Sequence, residues 1–236
     1  MIKHTTTILF ATFISLICFA GSGTSTQYSN SGNGREYIRE QIKINRECKN
    51  VAITKTNGNL MLYGGNGWAA KGCPEGLVTA LHELNEQKVT IKDVQLTESG
   101  SWLILYGRNG LRWSNIPYDL ERKIREFNEK NEEITSITFN DSGDWIVISE
   151  KLYNSSHSNI LNGLTEGVKK YGHLRAACLT DDALVAVYDG GYWWSGNVPE
   201  SLKQKLREAK IDVYYIKIAG NSWFFADKNG IYYYLM

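Results

Sequence analysis

The feature that most constrains this chain is an internal repeat. The pair Asn66-Gly67, the pair Cys73-Pro74 and the apolar positions Leu77, Leu81 and Leu84 recur 43 residues later, without a gap, as Asn109-Gly110, Ile116-Pro117, Leu120, Ile124 and Phe127. The stretch in between repeats at the same step. Gly100 precedes Trp102 and the run Leu103-Ile104-Leu105, and Gly143 precedes Trp145 and Ile146-Val147-Ile148. Later copies are looser: Val198-Pro199 with Leu202 and Leu206 restates the helix start, and Asn229-Gly230 before Ile231-Tyr232 restates the second turn. The copy from Ile134 to Tyr171 has lost both the Asn-Gly and the Pro. A period of this length marks a stack of supersecondary units that cannot bury their faces alone.

Each unit reads as three strands and a helix. Val94 and Leu96 alternate with polar neighbours, as a half-buried strand does, whereas Trp102 to Tyr106 is continuously apolar and fits a strand covered on both faces. Asn109-Gly110 predicts a tight primed turn, because both residues tolerate positive φ. Leu111-Arg112-Trp113 then makes an outer strand, and Pro117 halts pairing and opens a helix. Leu120, Ile124 and Phe127 form one apolar stripe; Glu121, Arg122, Arg125 and Glu126 take the wet face.

Strand triplets are expected near 51–70, 91–114, 135–158, 175–195 and 213–235, with helices near 75–87, 118–131, 160–171 and 199–209. A further helix at 35–47 places Ile38 and Ile42 where Leu120 and Ile124 stand in the repeat. The N-terminus thus carries the element that the last triplet lacks. The strand Ile231-Tyr232-Tyr233-Tyr234-Leu235 is too apolar to serve as the polar cap of an open solenoid. The fold class expected is therefore an α+β repeat, a closed ring of five βββα units over residues 35–236, sealed by the N-terminal helix on the final sheet.

The hairpin Phe139-Asn140-Asp141-Ser142-Gly143-Asp144-Trp145 resembles the Asp-x-Gly turn of several β-propeller families, and five strand-plus-helix units about an axis are similar in outline to the pentein α/β-propeller. The Trp-Asp end of WD40 repeats is missing, and a helix replaces the fourth strand of a standard blade. The pentein likeness implies a hydrolase with a Cys nucleophile, a His and carboxylates at the central channel. In this chain Cys178, His173 and Asp181 of the Asp181-Asp182 pair would fill those roles. Cys178 lies among Ala176, Ala177 and Leu179, which instead suits a packed, inert thiol.

The segment before the repeats reads as an address. Lys3 precedes an apolar run from Ile8 to Ala20, too short for a membrane span and right for a signal peptide, with small residues following at Gly21-Ser22-Gly23. Residues 1–20 are expected to be a cleaved signal and residues 21–34, rich in Gly, Ser, Thr and Asn, a flexible linker. The product is then secreted, periplasmic or on the cell surface, with no membrane span left after cleavage. Cys48 and Cys73 are the pair expected to bond if a disulfide forms.

Composition excludes more than it assigns. With 26 Lys+Arg against 25 Asp+Glu and a net charge of +1, nothing favours nucleic acid as a partner. His82, His157 and His173 fall in three separate units, and no CxxC spacing, phosphate loop or nucleophile elbow occurs, so neither metal nor cofactor is expected. Aromatic residues remain. Trp68, Trp113, Tyr192-Trp193-Trp194 and Tyr232-Tyr233-Tyr234 sit on third strands. Helices and neighbouring sheets account for most of these rings. Any left exposed would make flat platforms for a glycan or protein ligand, flanked by the polar groups of Asn109 and Arg112. Trp113, Trp193, Trp194, Tyr192, Arg112 and Asn109 are the binding residues this reading selects, in an exported binding module that is not an enzyme.

Overall fold

The computed structural model describes residues 31–56 and 58–236, with side chains from residue 34 onward. The signal peptide and most of the linker expected from the sequence lie outside the described residues. Helix α1 (Ser31–Asn45) comes first, then β1 (Asn50–Ile53), β2 (Asn59–Tyr63), β3 (Gly67–Lys71) and α2 (Glu75–Glu86). The second unit is β4 (Ile91–Leu96), β5 (Trp102–Tyr106), β6 (Gly110–Ser114) and α3 (Tyr118–Glu129); the third is β7 (Ile134–Phe139), β8 (Trp145–Ser149), β9 (Tyr153–Ser155) and α4 (Ser158–Tyr171). The fourth is β10 (Leu174–Leu179), β11 (Ala183–Tyr188), β12 (Gly191–Gly196) and α5 (Glu200–Glu208), and the last sheet is β13 (Tyr215–Ala219), β14 (Ser222–Ala226) and β15 (Tyr232–Leu235). Every sheet is a three-stranded antiparallel meander in chain order.

Middle strands explain the stacking. Alternate residues of a strand point to opposite faces. On β5, Trp102 and Ile104 enter an apolar cluster with Leu60, Leu62 and α2, while Leu103 and Leu105 enter another with Trp145, Val147 and α3. β8 and β11 divide their side chains in the same way. Each of these clusters is thus two adjacent sheets roofed by the helix that joins them. A further cluster joins the first sheet to the last: Ile38 and Ile42 of α1 pack with Cys48, Val51 and Met61 and with Phe224 and Ala226. First strands touch in the order β1, β4, β7, β10, β13, and β13 also meets β1. Arg35 of α1 donates to Thr54 O at 3.2 Å and to Ala219 O at 3.4 Å, bridging the first and last units, and Arg39 donates to Met236 O at 3.3 Å.

Three local expectations are corrected. Asn109-Gly110 is not a two-residue turn: Tyr106 pairs with Gly110 across the loop Gly107-Arg108-Asn109, and Gly107 takes the positive φ of 54°. Gly110 is needed for another reason, since a Cβ there would lie 2.3 Å from the Tyr106 ring. The linker boundary also moves, because α1 begins at Ser31, inside the stretch 21–34. Finally, Cys48 and Cys73 are free thiols. Cys48 precedes β1 and Cys73 follows β3. The β1–β2–β3 register puts those points at opposite ends of the sheet, roughly 15 Å apart at ~3.3 Å per residue, and a disulfide needs Cα atoms within about 7 Å.

Candidate functional site

Two regions concentrate polar side chains, one where the first strands converge and one on the outer rim. The convergent region holds a cavity of about 60 Å³ to which all five units contribute, among them Lys55, Glu98, Asp141, Asp181 and Lys217. Beneath it lies a buried ion pair. Lys217 of β13 donates to Asp93 of β4 at 2.8 Å, with both side chains under a tenth exposed. Asn50 donates to the same carboxylate at 2.6 Å and Gln95 at 2.8 Å, so Asp93 binds three neighbours from three first strands. A buried charge is tolerated when paired and hydrogen-bonded in this way.

The turns that border this cavity are tied to one another by one contact used three times. Glu98 of the second unit accepts from Lys55 N and from Thr56 N and Oγ1 in the turn of the first. Asp141 of the third accepts from Ser99 N at 3.1 Å and Ser99 Oγ at 2.5 Å in the second. Asp181 of the fourth accepts from Ser142 N at 3.0 Å and Oγ at 2.9 Å in the third. The short turn at Gly220 carries no carboxylate, and Lys55 instead reaches Asp182 at 3.3 Å. Burial pushes the Asp141 carboxyl up, but hydrogen bonds from Ser99, Thr97 and backbone N–H groups outweigh it and hold it below the usual carboxylate range. For Asp182 burial is likewise outweighed, by Thr180 and Lys55. Glu98 and Asp141 each stand four residues before the repeated Trp, and Asp181 stands two residues before β11, so the recurrence of a carboxylate in the first turn of successive units was the available sequence signal for these ties.

The residues of the hydrolase reading do not converge. Cys178 is buried, and burial pushes its thiol up to about 11 despite the nearby Lys217 ammonium. His173 is exposed and contacts Glu150 O. Five residues of extended chain separate it from Cys178, about 16 Å at ~3.3 Å per residue. Asp181 is held by Ser142, as described above. Among the described residues no group of three His, Cys, Asp or Glu side chains is placed to hold a metal ion.

The six binding candidates also scatter. Trp193 packs against α4, where a Cβ on Gly163 would lie 2.7 Å from its ring. Trp194 lies under Lys203 and Arg207, whose charges sit 5.8 and 5.1 Å from its ring centre, and Tyr192 borders the same cluster. The Asn109 amide donates to Asn128 Oδ1 and Glu132 O and accepts from Ile134 N, so its polar atoms are engaged internally. That leaves Trp113 and Arg112. Trp113 is 41% exposed, and Tyr118, just beyond β6, is 78% exposed.

Trp113 and Arg112 edge an open groove between α2 and β6. Its floor is the small-residue face of α2 at Gly76, Thr79 and Ala80, with Trp102 below. Glu75 and Glu83 stand on the α2 side, and Arg112 Nη2 reaches Glu83 Oε2 at 3.5 Å, both half exposed. Sequence reasoning selected Arg112 and Trp113 but missed the α2 wall, which only the packing of helix on outer strand brings to them.

No family model matches the chain, and no curated protein matches it either. Among solved structures it is similar to PorZ, an essential bacterial surface component of the type-IX secretion system of Porphyromonas gingivalis, at 10% identity and a TM-score of 0.33. That likeness covers 80% of this chain and 33% of PorZ, so the chain spans about a third of PorZ's length. No helix among the described residues is long and apolar enough to cross a membrane.

Proposed function

We propose that the protein is an exported binding module: a closed ring of five units that presents the Trp113 groove on its rim to a glycan or protein ligand and performs no chemistry at its axis. Closure is supported by counting interfaces. Five sheets in an open row form four, whereas the described residues contain five apolar clusters, the fifth joining first sheet to last beneath α1. A binding role is supported above all by Trp113, a large ring left exposed at a groove while the axial polar groups are bound to one another. A buried thiol with a raised pKa, five residues of extended strand away from His173, favours binding over hydrolysis. Export rests on the apolar run ending at Ala20.

The deciding measurement is a binding screen of the full chain against glycan and peptide arrays, repeated with Trp113→Ala. Binding that falls at least tenfold in the variant, at an unchanged melting midpoint, is the expected result. Affinity unaffected by the substitution would remove Trp113 from the ligand surface.

A further inference from the structure

Three units place a tryptophan at or next to the start of the middle strand, and the three indoles meet different fates. Trp102 and Trp145 open β5 and β8, Trp223 is the second residue of β14, and each shares an apolar cluster with the helix of the preceding unit. Counting from the helix-opening prolines Pro74, Pro117 and Pro199, the facing helix positions are Gly76, Asp119 and Ser201. In the last case the indole is satisfied, since Trp223 Nε1 donates to Ser201 Oγ at 3.0 Å. At Trp145 the Nε1 atom is buried without a partner. Trp102 differs in two ways: its helix position is a glycine with no acceptor, and its ring borders the open groove; its Nε1, like that of Trp145, forms no hydrogen bond among the described residues.

Gly76 is therefore an omission that creates space. A Cβ there would sit 3.6 Å from Trp102 Cζ2 and 3.9 Å from Nε1, ordinary van der Waals contact, so a serine fits and would supply the acceptor that Ser201 supplies to Trp223. What the gap leaves is an indole N–H beside Gly76 in the lining of a groove that Trp113, Arg112, Glu75 and Glu83 also border.

We infer that the groove between α2 and β6 is a subsite for one neutral pyranose ring. This rests on the reading of Trp113 as the recognition surface and specifies its ligand class. A pyranose has an apolar C–H face and a rim of hydroxyls. The Trp113 ring offers the first a flat partner. The unpartnered Trp102 N–H donates to a hydroxyl oxygen, while Glu75 and Glu83 accept from hydroxyls and Arg112, loosely paired at 3.5 Å, donates. With two carboxylates against one guanidinium, the lining repels phosphate and uronate, which selects uncharged sugars.

The test is isothermal titration of the full chain with short neutral oligomers of glucose, mannose and N-acetylglucosamine, beside uronate oligomers and a peptide library, in three proteins: the native chain, Trp113→Ala and Gly76→Ser. The expected result is binding to at least one neutral oligomer but not to uronates, weakened at least tenfold by W113A and at least fivefold by G76S, with the G76S melting midpoint equal to or above native. Three results overturn the inference: no neutral oligomer binds, uronates bind as well, or G76S leaves the affinity unchanged. Peptide binding that depends on Trp113, without sugar binding, also overturns it while leaving the broader reading of Trp113 standing. Sugar binding indifferent to W113A overturns both.

Discussion

The convergent ends of the first strands and the outer rim at β6 are both rich in polar groups, and both come from the same repeated unit. At the convergent end nearly every such group is answered by a neighbouring unit: Asp93 by Lys217, Asn50 and Gln95, and three turn carboxylates by the turns before them. At the rim, Trp113 is exposed, Arg112 meets Glu83 at the loose distance of 3.5 Å, and Trp102 Nε1 is unpartnered. Packing geometry explains the contrast. First strands touch first strands on both sides, so a side chain there always finds another unit within reach. Third strands pair on one side only, and while rings such as Trp194 and Tyr232 still join the clusters between sheets, Trp113 and Arg112 of β6 are left largely to solvent. Surface free to meet a ligand is thus at the rim.

The contrast can be broken most severely at the axis. Lys217→Ala is expected to destabilise the protein by about 3–5 kcal/mol, because it strands a buried carboxylate; a loss below about 1 kcal/mol in urea unfolding would mean that water already serves Asp93. Next in size is the seam. Ile38→Ala, fully buried between first and last sheets, should cost about 2–5 kcal/mol in one cooperative transition. If only α1 detaches while the sheets keep their midpoint, the proposed closure does not depend on that helix.

The turn ties sharpen the comparison through pH. Asp141 is held below the usual carboxylate range, so its contribution is fully present above the pKa of the unfolded chain and fades as pH falls through the lower folded value. Asp141→Asn should therefore flatten the acid side of the stability profile, with a loss of about 1 kcal/mol or less at neutral pH. An acid limb identical to that of the native chain would show that the tie adds nothing. Smallest of all should be the rim. Trp113→Ala is expected to change stability by about 0.5 kcal/mol or less, so a large loss on thermal melting would reassign that ring from recognition to packing.

Much of this was legible in the order of residues. The 43-residue step, the two-sided apolar middle strands and the apolar stripe of each helix set five βββα units, with boundaries that the structure shifts by a few residues, because periodic burial must repeat wherever the same unit repeats. Asn109 shows where such reading stops. Its type and position pointed equally to a primed turn and to a ligand, and only the fold brought Asn128, Glu132 and Ile134 to it. Trp193 and Trp113 are likewise indistinguishable as letters on third strands. One fills the notch at Gly163 and the other stands open, because which ring meets a helix depends on where that helix lands. Local chemistry and period are properties of the chain itself. Which polar group finds a partner is settled by contacts between residues far apart in sequence, and those exist only once the sheets have stacked.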